Sequence, residues 1–236
     1  MTRIDGDTNL QTEALEDLVS AVNYRRWLCS LAVPHFGADV LEIGSGLGHF
    51  AAEWADMGVA ITASEAAPER LAILRERFAG DQRVSVRELG VPITERGEHT
   101  NVVAYNVLEH IEDHIGALRS FAGLVRPGGT VLLIVPAFEF AMSRFDRAIG
   151  HHRRYRVPQL ADALTSAGLV PEQCRYINGP GLLAWWLTCR VLGGRPKAGA
   201  MLSAYDRVYV PIERRIESRV RPPFGQSVFA VARRPG

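Results

Sequence analysis

The sequence lacks the features that mark secreted, metal-binding or membrane-spanning chains. Its three cysteines, Cys29, Cys174 and Cys189, lie far apart and form no CxxC pair. This spacing disfavours a disulfide framework or a zinc knuckle and predicts a reducing, cytoplasmic setting. The longest aromatic-rich apolar run, at 182–189, is too short for a bilayer, which needs roughly 20 apolar residues. A formal net charge of +1 excludes a broad phosphate-binding field, so no nucleic-acid partner is expected.

The chain does contain the alternating pattern of an α/β protein. Hydrophobic residues make up 47% of its 236 residues, which is enough for one sizeable core. Apolar runs predict strands at 39–43, 59–63, 84–86, 101–107, 130–137, 170–177 and 227–234. Helical spacing predicts helices at 13–33, from about 47, at 68–78, 111–125 and 158–167. This alternation predicts a mostly parallel sheet covered by helices.

The rhythm of strands and helices predicts one domain with additions. We expect a single domain over residues 1–236, with N-terminal cap helices at 11–34. The regular alternation stops after the fifth strand, where an aromatic and basic stretch covers 138–156. A second insertion, predicted to be helical, covers 178–223. Both insertions follow strands, so we expect them beside a ligand site, on the side where a second substrate, the acceptor, would bind.

A glycine-rich turn follows the first strand. Gly44, Gly46 and Gly48 stand where a strand passes into a helix, and glycines there let backbone amides approach a ligand closely. Glu42 precedes the turn, where its carboxylate would face an amino group and would disfavour a pyrophosphate. Glu65 ends the second strand and can accept two ribose hydroxyls. No GxGxxG spacing occurs, which disfavours a nicotinamide-binding domain.

Two further segments extend the pattern, YNVLEHIED at 105–113 and LVRPGGTVLLIVP at 124–136. With the glycine turn they resemble the class I S-adenosylmethionine-dependent methyltransferases of the UbiE/UbiG-like kind. The resemblance is plain over residues 20–136 and looser beyond them. It implies a Rossmann-like, seven-stranded, mostly parallel sheet of order 3-2-1-4-5-7-6 with helical cap insertions. It also implies S-adenosyl-L-methionine as the cofactor.

The same resemblance implies which residues contact that cofactor. The family often has an acid after the third strand, which is displaced here to Glu88, so the backbone of Leu89 is the expected adenine contact. Trp27 belongs to a helix similar to a cofactor-capping helix, although an amphipathic helix with a core tryptophan fits equally well. The implied cofactor residues are Tyr24, Trp27, Glu42, Gly44, Ser45, Gly46, Gly48, Glu65, Ala66, Leu89, Asn106 and Val107.

Candidate bases for the acceptor follow the fourth and fifth strands. Methyl transfer to a hydroxyl needs an aligned acceptor and a group that takes up its proton. His110 lies at the carboxyl end of the fourth strand, where open α/β sheets bind ligands, and His151 is the second candidate. A structural or helix-capping histidine is the alternative. Glu109, His110, Asp113 and His114 form no firm ligand pattern, so no metal site is predicted.

The stretch from Asp146 to Tyr155 reads DxxxGHxRRY and resembles that of a methyltransferase subgroup linked to bacterial glycan or glycolipid pathways. Its polar residues can bind a polyhydroxylated or anionic acceptor. The alternative is a basic loop that packs its tyrosine inward and exposes its arginines. The predicted acceptor contacts are Glu109, Asp146, His152, Arg153, Arg154, Tyr155 and Trp186.

Together these features predict an O-methyltransferase that acts on a hydroxyl of a sugar, oligosaccharide or glycolipid, such as a methylated mannoside, by in-line transfer. A quinol, polyketide or other lipid-like acceptor is the alternative, and it predicts an apolar tunnel. A cofactor-binding regulatory protein without catalysis is the alternative from another class. The arginine run at 214–221 predicts a solvated helix face, with a peripheral contact to an anionic membrane as the alternative reading.

Overall fold

A computed structural model describes residues 10–12, 16, 20–194 and 199–236. The strands are β1 (Val40–Ile43), β2 (Ile61–Glu65), β3 (Val84–Glu88), β4 (His99–Tyr105), β5 (Val125–Pro136), β6 (Val170–Ile177) and β7 (Ser227–Arg233). They form one sheet of order β3-β2-β1-β4-β5-β7-β6. All neighbours among β1 to β5 are parallel, whereas β7 runs antiparallel to both β5 and β6. The predicted strand order and the antiparallel last strand are confirmed.

The central strand β5 shows why the sheet needs helices on both faces. Val131, Leu133 and Val135 point into one apolar core, and the alternate residues Leu132 and Ile134 point into a second core. Because successive side chains of a strand face opposite sides, a strand buried on both faces reads as a continuous apolar run. The run at 130–137 is continuously apolar because both faces of β5 are buried.

The helices divide between these two cores. They are α1 (Val22–Ala32), α2 (His49–Asp56), α3 (Pro68–Arg77), α4 (His114–Leu124), α5 (Arg144–Ala148), α6 (Val157–Ser166), α7 (Gly179–Trp185), α8 (Ala200–Ala204) and α9 (Val210–Glu217). Leu28 of α1, Trp54 of α2 and Leu74 of α3 enter the core on one face. Phe121 of α4 and Leu160 of α6 enter the core on the other face. The sheet is therefore sandwiched between helical layers, as the alternation predicted.

The segment after β4 differs from the predicted strand at 101–107 and helix at 111–125. This difference determines where the candidate base His110 lies. The strand ends at Tyr105 because Asn106 adopts a positive φ of 54°, which breaks the extended backbone. Leu108–His110 form a single 3-10 turn, and the helix predicted from Ile111 does not begin there. Helix α4 begins only at His114, where the Asp113 side chain accepts from the Gly116 N–H at 2.9 Å. His110 therefore lies on a turn at the sheet edge.

The N-terminal helix is joined to the insertion after β6. Of the helix predicted over 13–33, Leu15, Leu18 and Val19 lie outside the described residues, and the described helix α1 begins at Val22. Its first N–H groups have no local cap. Instead the buried Asp206 accepts from the backbone N–H of Asn23 at 3.1 Å and of Tyr24 at 2.8 Å. This long-range cap satisfies donors that a helix start otherwise leaves without partners. Across the described ranges, no helix combines the length and apolar character needed to span a membrane.

Candidate active site

The glycine-rich turn lies between β1 and α2 and has the backbone that only glycines adopt freely. Gly44, Gly46 and Gly48 have φ angles of 68°, 56° and 76°, all in the left-handed region. A Cβ added to Gly44 would meet the Val107 side chain at 2.7 Å. Ser45 fixes the turn against β2, because its N–H donates to the Ser64 carbonyl at 2.7 Å. The turn thus brings bare backbone to the carboxyl end of β1.

Glu65 holds this turn from the end of β2. One carboxylate oxygen, Oε2, accepts from the Gly46 N–H at 3.0 Å. The other, Oε1, accepts from the N–H groups of Ala66 and Ala67 at 2.9 Å and from Arg70 at 3.3 Å. Since each carboxylate oxygen has two lone pairs, Oε2 keeps one of them for a further donor. Glu65 is thus an acceptor that is already oriented for a ligand hydroxyl.

Glu42 is a buried acid with an unused hydrogen-bond acceptor. It is 2% exposed, and its Oε2 atom has no hydrogen-bond partner among the described residues. Burial raises the pKa of Glu42 to about 7, although a hydrogen bond with Ser45 opposes the rise. A buried carboxylate without a partner is costly, so a cationic ligand group beside it would be stabilising. Glu42 therefore fits an ammonium-bearing ligand.

A groove of about 470 Å³, open to solvent, runs along the carboxyl ends of β1, β2 and β4. Six of the predicted site residues line it: Gly44, Glu65, Ala66, Leu89, Val107 and His110. One groove thus brings together the predicted ribose-binding, adenine-binding and catalytic positions.

Four further lining residues were not predicted: Ile43, Gly90, Val91 and Ile111. Each directly precedes or follows a predicted lining residue or continues its loop, so the sequence did carry a signal for them. Arg70 was also missed, although it pairs with Glu65. Its position in the first part of α3 gave no sign of a partner at the end of β2.

Asn106 keeps a backbone role beside the groove. Its N–H donates to the Ile134 carbonyl at 2.8 Å, and its side chain is exposed. The positive φ at this position turns the chain so that Val107 packs against the glycine turn. Asn106 therefore shapes the groove through the main chain.

Tyr24 and Trp27 lie outside the lining of the groove. Trp27 is 2% exposed and belongs to the core formed with α2, and its ring meets Tyr24 edge to face. Burial raises the pKa of Tyr24 to about 12, against hydrogen bonds with Asn178 and Ser227. This placement favours the amphipathic-helix alternative for Trp27.

The two candidate bases meet beside a buried carboxylate. The rings of His110 and His151 contact each other edge to face, with centroids 4.6 Å apart. The His151 Nε2 atom lies 3.9 Å from Glu109 Oε1. Burial raises the pKa of Glu109 to about 7 and, together with the charges of His151 and Arg70, lowers that of His110 to about 3. The structure thus joins the turn after β4 to the loop after α5, although these segments are distant in sequence.

A buried network holds His151 in this position. Asp146 Oδ1 lies 2.9 Å from His151 Nδ1 and 2.7 Å from the Arg154 guanidinium. Asp146 Oδ2 accepts from both the N–H and the hydroxyl of Ser143, as in a capping box at the start of α5. Burial opposes ionisation of Asp146, but these partners outweigh it and lower the pKa of the carboxyl. Asp146 and Arg154 are therefore used internally and position His151.

The other predicted acceptor contacts are bonded to other groups or lie outside the groove lining. The Arg153 guanidinium donates to the carbonyls of Ile111 and Glu112. The buried Tyr155 hydroxyl lies 3.1 Å from His114 Nδ1. His152 and Trp186 are exposed. Tyr155 thus packs inward as the alternative predicted, but Arg154, which is 3% exposed, does not face solvent as that alternative required.

Comparison with known proteins identifies the family of this chain. Residues 22–173 match the family described as a methyltransferase domain. A ubiquinone biosynthesis O-methyltransferase of Xanthomonas campestris pv. campestris strain B100 is 36% identical over 103 residues, which are 41% of this chain and 42% of that protein. The chain therefore matches less than half the length of this relative.

Two solved structures share the fold. A chain of the complex between the Haloferax volcanii Trm112 methyltransferase activator and a methyltransferase superposes with a TM-score of 0.65 at 14% identity, covering 99% of this chain and 100% of that one. The Haemonchus contortus phosphoethanolamine N-methyltransferase 2 with S-adenosylhomocysteine superposes with a TM-score of 0.60 at 16% identity, covering 90% and 53%. The unpartnered Glu42 oxygen, the glycine turn and the Glu65 carboxylate fit S-adenosylmethionine as the cofactor. The chain belongs to the class I S-adenosylmethionine-dependent methyltransferases.

Proposed function

We propose that this protein transfers a methyl group from S-adenosylmethionine to a hydroxyl of a lipid-like aromatic acceptor of the quinol kind. One observation carries the proposal: His110 lines the same groove as the glycine turn and Glu65. A donor site and a proton-accepting side chain at one edge of the sheet are the two requirements of O-methylation. The names of the relatives favour a quinol acceptor.

The residues around the groove have separate parts in holding the donor. Glu65 is placed for the ribose hydroxyls, and the backbone of the glycine turn lies along the methionine end. Glu42, with its unpartnered oxygen, is placed for the amino group. Leu89 and Ala66 form an apolar wall for the adenine. When bound there, S-adenosylmethionine supplies a methyl group on a cationic sulfur.

The acceptor hydroxyl is assigned to the cluster of Glu109, His110 and His151. His110 faces the groove, and His151 stands behind it with its ring fixed by Asp146. The neutral His110 imidazole can accept the hydrogen bond of the hydroxyl and orient its oxygen, and Glu109 behind it, whose pKa burial raises to about 7, can take up the proton within the cluster. The sequence left the choice between the two histidines open, and His110 is the one that contacts the groove.

The polar loop gives less support to a sugar acceptor than its composition suggested. A sugar needs several free donors and acceptors, but Asp146 and Arg154 satisfy each other, and Arg153 is tied to main-chain carbonyls. The sugar acceptor is therefore our second candidate, supported by the histidine cluster alone.

The helical segments of the insertion, which include the π-helical turns Trp186–Val191 and Tyr205–Tyr209, carry two exposed apolar rows that suit a lipid-like acceptor. Leu183, Leu187 and Val191 are 62%, 52% and 53% exposed and recur at four-residue spacing. A second row follows the same spacing and consists of Val208, Ile212 and Ile216, at 54%, 55% and 56%. Such rows on helices are typical of proteins that lie in a membrane interface.

Charge around the two apolar rows points to an anionic lipid surface. The acids described between residues 179 and 194 and between 199 and 224 face inward, since Asp206 and Glu213 are 3% and 5% exposed and the Glu217 side chain is 5% exposed. The arginines of the same ranges are exposed: Arg190, Arg207, Arg214, Arg215, Arg219 and Arg221. Each basic residue near an anionic membrane contributes about 1 kcal/mol to binding. We therefore place the acceptor at a membrane surface.

The acceptor class is tested with a panel and labelled S-adenosylmethionine. The panel holds prenylated and tail-free quinols and catechols, mannosides and a glycolipid. Formation of a methyl ether on the prenylated quinol in preference to the sugars is the expected result. Transfer to mannosides alone would replace the quinol by the sugar candidate. Tight donor binding without transfer to any panel member would favour the regulatory alternative.

Membrane contact is tested by flotation with phosphatidylglycerol vesicles and with phosphatidylcholine vesicles. The chain is expected to float with the anionic vesicles only, and Ile212→Glu is expected to reduce binding at least tenfold. Ile73 is a matched control, because it is an exposed apolar residue, 42% accessible, on α3 outside both rows. Equal flotation of Ile212→Glu and Ile73→Glu would contradict the membrane placement.

A further inference from the structure

The Glu109, His110 and His151 side chains converge more closely than a proton relay requires. One ligating atom from each of the three lies within 4.8 Å of the other two. Glu109 and His110 come from the 3-10 turn after β4, whereas His151 comes from the loop after α5. The His152 N–H donates to the Glu109 carbonyl at 2.9 Å, which ties the two segments together. The fold therefore builds a three-sided set of one carboxylate and two imidazoles.

Glu109 lacks the partners that a buried carboxylate needs. It is fully buried, and neither of its oxygens has a hydrogen-bond partner among the described residues. The His151 Nε2 atom, at 3.9 Å from Oε1, lies beyond hydrogen-bond distance, and Arg154 already pairs with Asp146 at 2.7 Å. Since burial of an ionised carboxylate without close partners is unfavourable, a metal cation bound between Glu109 and the two imidazoles would stabilise the ionised form. The Nδ1 atom of His110 is buried without a partner as well.

We propose that Glu109, His110 and His151 bind a divalent transition-metal ion of the zinc class. Such ions bind imidazole and carboxylate at about 2.0–2.2 Å, which places neighbouring ligand atoms about 3.4 Å apart in a tetrahedron. From a spacing within 4.8 Å, each side chain has to move inward by about 1 Å or less. Two imidazoles favour zinc, nickel or iron over magnesium, which prefers oxygen ligands.

The surroundings of His151 match those of a metal-bound histidine. A ligating histidine usually donates its other ring N–H to a carboxylate, which fixes the orientation of the ring. Here Asp146 Oδ1 lies 2.9 Å from His151 Nδ1, a charge contact that lacks the alignment of a hydrogen bond, and Nε2 faces Glu109 at 3.9 Å. Ser143 and Arg154 hold Asp146 in turn. This explains why the chain buries a charged network behind a histidine that does not itself line the groove.

The ion would have open positions toward the groove. His110 and Ile111 line that groove, whereas Glu109 and His151 lie behind them. A catalytic metal with three protein ligands keeps a position for water or substrate. This step rests on the proposed function: the ion would bind the acceptor oxygen and lower the pKa of its hydroxyl, and because the ligated side chains could then no longer accept the proton, it would leave to water before methyl transfer. The sequence missed this set because His151 is distant from the other two ligands along the chain.

Metal binding is tested on the full chain without an affinity tag. The protein is stripped with a chelator, dialysed, and titrated with Zn²⁺ by calorimetry and with Co²⁺ by visible absorption. We expect one equivalent bound and cobalt absorption bands of a nitrogen- and oxygen-ligated site. Glu109→Gln, His110→Ala and His151→Ala are each expected to weaken binding by about 100-fold or more, and Asp146→Asn by about 10–100-fold. His152→Ala, at an exposed neighbouring histidine, is the matched control and should bind as the wild type does.

Folding of each variant is checked by circular dichroism and by S-adenosylmethionine affinity measured without metal. Retained donor affinity together with lost metal binding supports the site. The proposal is overturned if the wild type binds neither ion below about 1 mM, or if the three ligand variants bind as tightly as His152→Ala does. Either result would leave methyl transfer itself standing, because donor affinity and turnover are measured separately from metal uptake.

Discussion

Substitution of Glu65 tests donor binding by itself, without changing the residues assigned to the acceptor. In the structure its carboxylate accepts from the N–H groups of Gly46, Ala66 and Ala67 and from Arg70. We expect Glu65→Ala to weaken S-adenosylmethionine binding by about 100-fold. A hydrogen bond from a ribose hydroxyl to the free lone pair of the charged Oε2 contributes up to about 3 kcal/mol, which corresponds to this factor.

The same substitution should lower stability. It leaves several buried donors without an acceptor, at about 1–3 kcal/mol for each group that water cannot reach. Because Oε1 and Oε2 hold the turn and the start of α3 together, we expect a loss of about 2–4 kcal/mol in the free energy of unfolding. Urea unfolding measures this loss, and calorimetry with S-adenosylmethionine measures affinity on the fraction that is folded.

Glu88 provides the matched control for Glu65. The two residues are register partners at the ends of β2 and β3, but Glu88 is exposed. Glu88→Ala should therefore change neither stability nor donor affinity by more than about twofold. If Glu65→Ala binds the donor within twofold of the wild type, the assignment of Glu65 to the ribose is wrong. If Glu88→Ala is the weaker binder, the acid on β3 holds the donor instead.

Three smaller predictions address the glycine turn, the buried acid and the helix cap. Gly44→Ala should lower donor affinity at least tenfold by calorimetry, because a Cβ meets Val107 at 2.7 Å and a positive φ costs alanine about 1–2 kcal/mol; unchanged affinity would show that the turn does not touch the donor. Burial raises the pKa of Glu42 to about 7, so donor affinity should rise about tenfold from pH 6 to pH 8 as the carboxylate ionises. Without donor, the raised pKa means that stability falls by about 3 kcal/mol as pH rises from 4.5 to 7, and Glu42→Gln should abolish both trends in calorimetry and urea unfolding. Asp206→Ala should cost about 1–2 kcal/mol in urea unfolding through the lost cap on α1, and a change below 0.5 kcal/mol would refute that role.

The parts of the fold that sequence predicted are those in which local pattern and tertiary structure agree. A continuous apolar run at 130–137 indicated a strand buried on both faces, and β5 has alternate residues in two cores. The glycine turn was readable because its positive φ angles leave little choice of residue. The start of α4 was predicted too early, since the apolar Ile111 fits a helical pattern but the Asp113 cap sets the helix start.

The acceptor side could not be predicted in the same way, because its contacts join distant segments. The composition of the loop at 144–155 suggested free arginines and an aspartate for a ligand. In the structure Arg154 pairs with Asp146 and stacks over Trp185 at 4.9 Å, which only the folded chain brings together. The convergence of His151 on Glu109 has the same origin. Patterns in sequence report periodicity and turn chemistry. Contacts between residues far apart along the chain, such as His151 and Glu109, are set only by the folded structure.

The most direct test of the account compares methyl-transfer rate and donor affinity in His110→Ala. His110 follows the carboxyl end of β4, and His99→Ala at the amino end of the same strand is the control. We predict that His110→Ala lowers the single-turnover rate on the quinol acceptor at least 100-fold, in the range of general acid–base effects. Its affinity for S-adenosylmethionine should stay within about twofold, and His99→Ala should match the wild type in both. Full-rate transfer by His110→Ala would contradict the claim that the acceptor hydroxyl meets the donor at this histidine.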